Sequence, residues 1–319
     1  MKFASLCLAA ALSVSAANAW PQAGYPEKPI KIVVGFPPGT TGDVIGRAMA
    51  PRMSEALGQQ IVVENRPGAG SSIGADAVAK SPADGYTLLL STVANTINPS
   101  LYKLSFDFEK DLTPVSMLAE APAVLVANAS APATLGELIA AAKAKPGEIQ
   151  YASSGNGTIT HLYGELFNLA TGTKIVHVPY KGSSQALADL IAGRVALLFT
   201  PASTVIPHVN TGRLRALAAI GRQRLAALPE VPTFTETGIT GFESALWFGM
   251  NAPAGTPKAV IERLNREVGR VLALPEVKKI LQGSSIEPMP GTAENFGAFI
   301  RTDLERWARV VKTAGISIQ

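Results

Sequence analysis

Three short β-branched runs in this chain each lead into a loop of Gly, Ser, Thr or Pro and then into a helical pattern. They are Ile30–Gly35 into Phe36-Pro37-Pro38-Gly39-Thr40-Thr41-Gly42-Asp43, Ile149–Ala152 into Ser153-Ser154-Gly155-Asn156-Gly157-Thr158, and Ile175–Val178 into Pro179-Tyr180-Lys181-Gly182-Ser183-Ser184. A strand feeding a helix through a short loop is the unit of an α/β fold with a mostly parallel sheet. Each loop sets unpaired backbone N–H groups and small hydroxyls at the positive end of a helix, where an anion is held. Taken singly, each loop is explained as a helix cap. Three of them, spread over the chain, point to capture of a carboxylate-bearing small molecule rather than chemistry on it.

The first 19 residues are a separate object. Lys2 is their only charge, Phe3–Ala17 is almost wholly apolar, and Ala17-Asn18-Ala19 fits a small-x-small cleavage site. This reads as a cleaved secretory signal peptide, too short to stay as a membrane anchor, which places the protein in the periplasm. The single cysteine, Cys7, falls inside it. The mature chain is therefore expected to fold without thiols, disulfides or cysteine metal sites.

About 300 mature residues exceed one ordinary core, so two domains are expected. The chain is 47% hydrophobic and 16% charged, which describes a well-buried globular protein. Its formal charge is +4, from 28 Lys+Arg against 24 Asp+Glu, and loss of Lys2 leaves +3. No basic cluster is interleaved with aromatics, which argues against nucleic acid.

The strand–helix rhythm runs from Ile30 to Ser91 and restarts at Ala123. A Pro-rich stretch, Leu228–Pro232, follows the last strand of the second series. The chain ends in helices near 257–273, 275–282 and 292–314 that bring no new strand. Such a block is expected to return and cover the first domain, with Leu304, Trp307, Ala308 and Val311 as its packing stripe. Two crossings follow, near Pro122–Asn128 and Ser244–Asn251. The expected lobes are 20–124 with 249–319, and 125–248. Two crossings without a long linker make a hinge, with the ligand at the carboxyl ends of the strands facing the cleft.

The candidate ligand set follows those strand ends. From the first loop it takes Phe36, Gly39, Thr40, Thr41 and Asp43, where Asp43 reads as a helix cap or a brace of the loop. Ser91 and Asn95 close the third strand. The second loop supplies Ser154, Gly155, Gly157 and Thr158, with His161 one turn on. Near the positive helix end, His161 is expected to be neutral and a hydrogen-bond donor, or simply a packed polar residue. The third loop supplies Tyr180, Lys181 and Gly182. Thr200 ends a later strand, and Trp247 and Phe248 at the second crossing either wall the cleft or pack the hinge.

Two motifs point elsewhere. Gly70-Ser71-Ser72-Ile73-Gly74 matches the G-x-S-x-G nucleophile elbow, which makes a secreted serine hydrolase using Ser72 the alternative from another class. The elbow requires a strand directly before the serine, and Asn65–Ala69 intervenes. The same stretch nearly imitates a dinucleotide fingerprint, but its last glycine comes one place late. His161, His177 and His208 have no metal-ligand spacing with other His, Asp or Glu residues. No cofactor is expected.

With loops and hinge in place, the chain closely resembles the extracytoplasmic solute receptors of tripartite tricarboxylate transporters, the Bug receptors. The resemblance spans nearly all of the mature chain. It is carried by Tyr25–Ile30, Phe36–Gly39, Val63–Gly70, Asp84–Leu89, Tyr151–Thr158, His177–Gly182 and Trp247–Gly249. It implies a two-lobed periplasmic binding protein, the Venus-flytrap form, closing on a mono- or dicarboxylate for a membrane permease. A sensor for a membrane kinase is the related alternative. The resemblance also implies a grip made of backbone N–H groups, small hydroxyls and waters. Two departures stand out. Thr40 replaces the second of two adjacent glycines, and Thr200-Pro201 replaces an Asp-Asn-like pair. Both positions are expected to face the ligand.

Overall fold

The computed structural model describes residues 24–243 and 245–316. The leader assigned to residues 1–19 lies outside them, as does Ser244 at the second crossing. The first lobe opens with β1 (Ile30–Val34), α1 (Thr41–Leu57), β2 (Ile61–Asn65), α2 (Ser72–Ala79), β3 (Thr87–Thr92) and α3 (Val93–Ile97). Then β4 (Leu112–Ala121) runs straight through Pro122 into β5 (Ala123–Asn128). The second lobe continues with α4 (Leu135–Ala144), β6 (Gln150–Ser153), α5 (Ile159–Thr171), β7 (Val176–Pro179), α6 (Ser183–Ile191), β8 (Leu197–Pro201), α7 (Ala202–Asn210) and β9 (Leu214–Ile220). The chain returns as β10 (Leu246–Pro253), α8 (Lys258–Ala273), α9 (Pro275–Gly283), β11 (Glu287–Pro288) and α10 (Ala293–Ala314).

Two sheets result, ordered β11-β4-β10-β3-β1-β2 and β7-β6-β8-β5-β9. In the first, β1, β2, β3 and β4 point the same way, while β10 and the short β11 are reversed. In the second, only β5 is reversed among the described strands. Two of the reversed strands, β5 and β10, have a common cause. They are the strands that enter from the other lobe, and a chain arriving at the hinge end without a crossover helix must run antiparallel to its neighbours. All the co-directional strands therefore end at the cleft.

The sheets set the lobe limits slightly apart from those read in the sequence. Ala123 and Val124 already pair with β8 and β9, and Leu246–Phe248 already pair with β4. The sequence carries no clear signal for β4. Its burial is nearly continuous rather than alternating, and Pro114 interrupts its ladder, so neither strand signature shows.

α10 closes the first lobe by packing on β4 and α3, and it also reaches α5 of the second lobe. Trp307 on its inner stripe is fully buried. The last helix thus covers the first lobe and touches the second beside the hinge.

Candidate functional site

Four helices of nine or more residues start at the cleft: α1, α5, α6 and α7. The first-turn N–H groups of a helix have no partner within it. None of these four N-termini is closed by a side-chain cap. The short α3 differs, because Thr92 accepts from the Ala94 N–H at 3.2 Å and Asn95 accepts from the Thr92 N–H at 2.9 Å, a complete capping box.

The four open helix ends meet at a cavity of about 290 Å³ between the lobes. Of the sequence candidates, Phe36, Gly39, Thr40, Thr41, Ser154, Thr158, Gly182 and Phe248 line it. No lining side chain is charged. A second compartment of about 520 Å³ adjoins it and shares Phe36, Ser154 and Thr158. Gly155, Tyr180 and Lys181 line that second space. The Tyr180 hydroxyl is taken up by Asp189 Oδ2 at 2.8 Å.

The remaining candidates stand behind these walls. Asp43 braces the first loop rather than capping α1. Its carboxylate accepts from Gly39 N–H and Arg47 Nε at 2.9 Å and from Asn65 Nδ2 at 3.0 Å. Asn65 in turn donates to the Phe36 carbonyl at 3.0 Å. Burial alone raises the Asp43 pKa, but the hydrogen bonds from Arg47, Gly39 and Asn65 outweigh it and hold the carboxyl below its usual range. Gly39 sits at φ 79°, a conformation that glycine adopts freely, so the loop can turn back onto Asp43.

Ser91 is buried and donates to Asn251 Oδ1 at 2.6 Å, pinning β3 to β10. Asn95 serves its capping box and donates to Ser71 Oγ at 3.3 Å. Trp247 points to the opposite face of β10 from Phe248, as alternation requires. Its indole donates to Asp303 Oδ2 at 2.8 Å and packs on Phe296 and Phe299. Trp247 is therefore hinge packing and Phe248 is cavity wall. Thr200 is fully buried and its hydroxyl has no hydrogen-bond partner among the described residues. Its neighbour Pro201 reaches the cavity instead.

Gly157 and His161 form a support behind the second loop. The Gly157 N–H donates to His161 Nδ1 at 3.3 Å, so His161 is an acceptor there and not a donor. Its ring stacks on His177, with centroids 4.0 Å apart and planes 15° apart, and His177 stacks on Tyr151. His177 Nε2 meets Ser153 Oγ at 2.6 Å. Burial pushes His161 down to about 4. Burial, with the His161 charge second, pushes His177 to about 3. Both rings are neutral at physiological pH, consistent with a base that accepts an N–H. Thr158 also differs from expectation. Its N–H is directed at the Gly155 carbonyl at 3.3 Å, and its hydroxyl donates to the same oxygen at 2.7 Å. The groups left for a ligand are the next ones, at Ile159 and Thr160.

Sequence reasoning missed the helix end at α7, where Ser203 and Thr204 line the cavity. β8 passes into α7 through Pro201 with no glycine loop, so no signature marks it. It also missed Ser284 and Ile286, which the returning C-terminal segment inserts into the wall. Ser72, the alternative nucleophile, is buried, and its oxygen accepts from Asn98 Nδ2 at 2.8 Å. It lines neither compartment. Among the described residues no group of three or more His, Cys, Asp or Glu could hold a metal ion.

Two α/β lobes joined by two crossings, with helix ends converging on an uncharged cleft, define a periplasmic-binding-protein architecture. The model of the tripartite tricarboxylate transporter family receptor matches residues 45–316, and the chain belongs to that family. Protein BugT of Bordetella pertussis is 41% identical over 303 residues, covering 92% of each chain. Among solved structures, Rpa4515 of R. palustris with adipate superposes with a TM-score of 0.86 at 36% identity, covering 92% of this chain and all of that one. The periplasmic binding protein BugD gives a TM-score of 0.85 at 32% identity over the same shares.

Proposed function

We propose that this protein is a periplasmic receptor that captures a small organic carboxylate between its lobes and delivers it to a tripartite-type membrane permease. The observation that carries this reading is the cavity ringed by four uncapped helix N-termini with no charged side chain in its lining. Each such end carries roughly half a positive charge, so a carboxylate is held without a countercharged residue. The adipate complex of the related Rpa4515 supports a carboxylate ligand. The apolar leader at residues 1–19 supports export.

A thermal-shift screen of organic acids tests the reading. A ligand at a hundred times its dissociation constant stabilises the folded state by about 2.7 kcal/mol, enough to raise the melting temperature by several degrees. At least one carboxylate should do so while its amide does not. Equal shifts from acid and amide would refute the anion site.

A further inference from the structure

The two lobes contribute different chemistry to the same cavity. Lobe 2 supplies ten lining residues, and seven carry hydroxyls, including the pairs Ser183 and Ser184 on α6 and Ser203 and Thr204 on α7. Three of the four open helix ends, those of α5, α6 and α7, lie on this side. Lobe 1 supplies the α1 end with Thr40 and Thr41, the hydroxyls of Thr92 and Ser284, and between them an apolar wall made by Phe36, Val44, Val93, Leu246, Phe248 and Ile286. The cavity is thus hydroxyl-lined and electropositive on the lobe 2 face, while its large apolar side chains stand mainly on the lobe 1 face.

We infer that the ligand is a carboxylate with a compact apolar body and no amino group. This rests on the carboxylate-receptor reading and narrows it. An ammonium group brought into this space would lose its water and meet no carboxylate in return. No acid lines the cavity among the described residues, and Asp43, behind the first loop, is already engaged by Arg47, Asn65 and the Gly39 N–H. The helix ends would repel the cation as well. Burying a charged or hydroxylated body against the Phe36–Phe248 wall leaves its polar groups unpaired, whereas an apolar body gains by leaving water. The compartment beside the apolar wall, about 290 Å³, has room for one ring or a short chain, and the adjoining space of about 520 Å³ can take water or a longer ligand's far end.

Calorimetry of the purified protein with cyclohexanecarboxylate, benzoate, succinate, aspartate and benzamide tests the inference. At least one of the two apolar monocarboxylates should bind about tenfold tighter than succinate and about a hundredfold tighter than aspartate. Aspartate or succinate binding as tightly as the better apolar acid would overturn the ligand class while leaving a carboxylate receptor standing. Benzamide matching benzoate, or no binding by any acid, would overturn both readings. A second arm uses Phe36→Ser, a partly exposed position whose loss the fold should tolerate. It should weaken the better apolar acid about tenfold, checked against an unchanged circular dichroism spectrum. Unaltered affinity in that folded variant would remove the apolar wall from recognition.

Discussion

The imidazoles of His161 and His177 stack face to face, 4.0 Å between centroids, directly beneath the loop that carries Gly157. Burial keeps both rings neutral, which suits face-to-face stacking of two imidazoles. His161 Nδ1 holds the Gly157 N–H, Glu165 Oε1 lies 4.0 Å from its Nε2, and Tyr151 covers the far side of His177. Lobe 2 therefore carries a built-in sensitivity to acid.

The sign follows from the depressed values. His161 titrates near 4 in the folded protein and near 6.5 when unfolded. Its contribution is intact above about pH 6.5 and is lost as pH falls, because the unfolded chain takes up the proton first. Between pH 6.5 and 5.0 the loss from this ring is about 1.5 kcal/mol. Burial raises the pKa values of Glu120 and Asp303, and those carboxyls act in the opposite sense. The comparison is therefore wild type against His161→Asn, by urea denaturation at the two pH values. Wild type should lose more stability than the variant. Parallel losses in the two proteins would rule out this ring as the sensor.

The Asp43 brace can be tested by itself. Asp43→Asn places an amide NH₂ where at least one of three donors now finds an acceptor. Stability should fall by about 1–3 kcal/mol, the cost of leaving a buried donor unpaired. Ligand affinity should fall too, because the Gly39–Thr41 segment loses its anchor to α1. A variant with the wild-type denaturation midpoint and affinity would show that Arg47 and Asn65 hold the loop unaided.

Tyr102 of the first lobe donates its hydroxyl to the Asn156 carbonyl of the second at 3.1 Å, bridging the cleft. Tyr102→Phe removes this bridge at the rim of the second compartment, which Tyr102 lines, and leaves the 290 Å³ cavity untouched. One exposed hydrogen bond is worth about 0.5–1 kcal/mol, so ligand dissociation should accelerate about two- to fivefold. Melting of the unliganded protein should barely change. Stopped-flow release of bound ligand measures the first quantity, and an unchanged rate would show that the bridge plays no part in closure.

What could be read in advance was whatever local chemistry encodes. The loops before α1, α5 and α6 announce themselves as glycine and hydroxyl clusters between strand and helix periodicities. The crossing at Pro122 follows from a strand that lacks a preceding helix. What was hidden depends on direction and on distant partners. Trp247 and Phe248 are adjacent, yet the pleat sends one to Asp303 and the other to the cavity. Asn95 sits at the cleft end of β3, but its amide is consumed by Thr92 and Ser71. The entry to α7 carries no loop signature, and Ile286 reaches the wall from a segment far away in the chain. Local composition locates a binding end of a sheet, and tertiary pairing decides which side chains remain free to use it.

The second-lobe loop gives the sharpest contrast between backbone shape and hydroxyl chemistry. Gly157 has φ 73°, and Gly155 has φ 132° with the Tyr180 carbonyl 3.0 Å from where a Cβ would stand. A β-branched residue at 157 cannot adopt that backbone without strain of about 1–3 kcal/mol. Relaxing it would pull the N–H away from His161 and turn the first residues of α5 away from the cavity. Gly157→Val should therefore abolish measurable binding even though Gly157 itself lines neither compartment. Thr158→Ala is milder. It removes the hydroxyl bond to the Gly155 carbonyl, which keeps the Thr158 N–H as a second donor. The expected loss is about 0.5–1.5 kcal/mol in stability, with affinity falling less than tenfold. Calorimetry and circular dichroism on both variants separate these effects. Full affinity in a folded Gly157→Val protein would exclude the α5 terminus from the site and leave the ends of α1, α6 and α7 to hold the carboxylate.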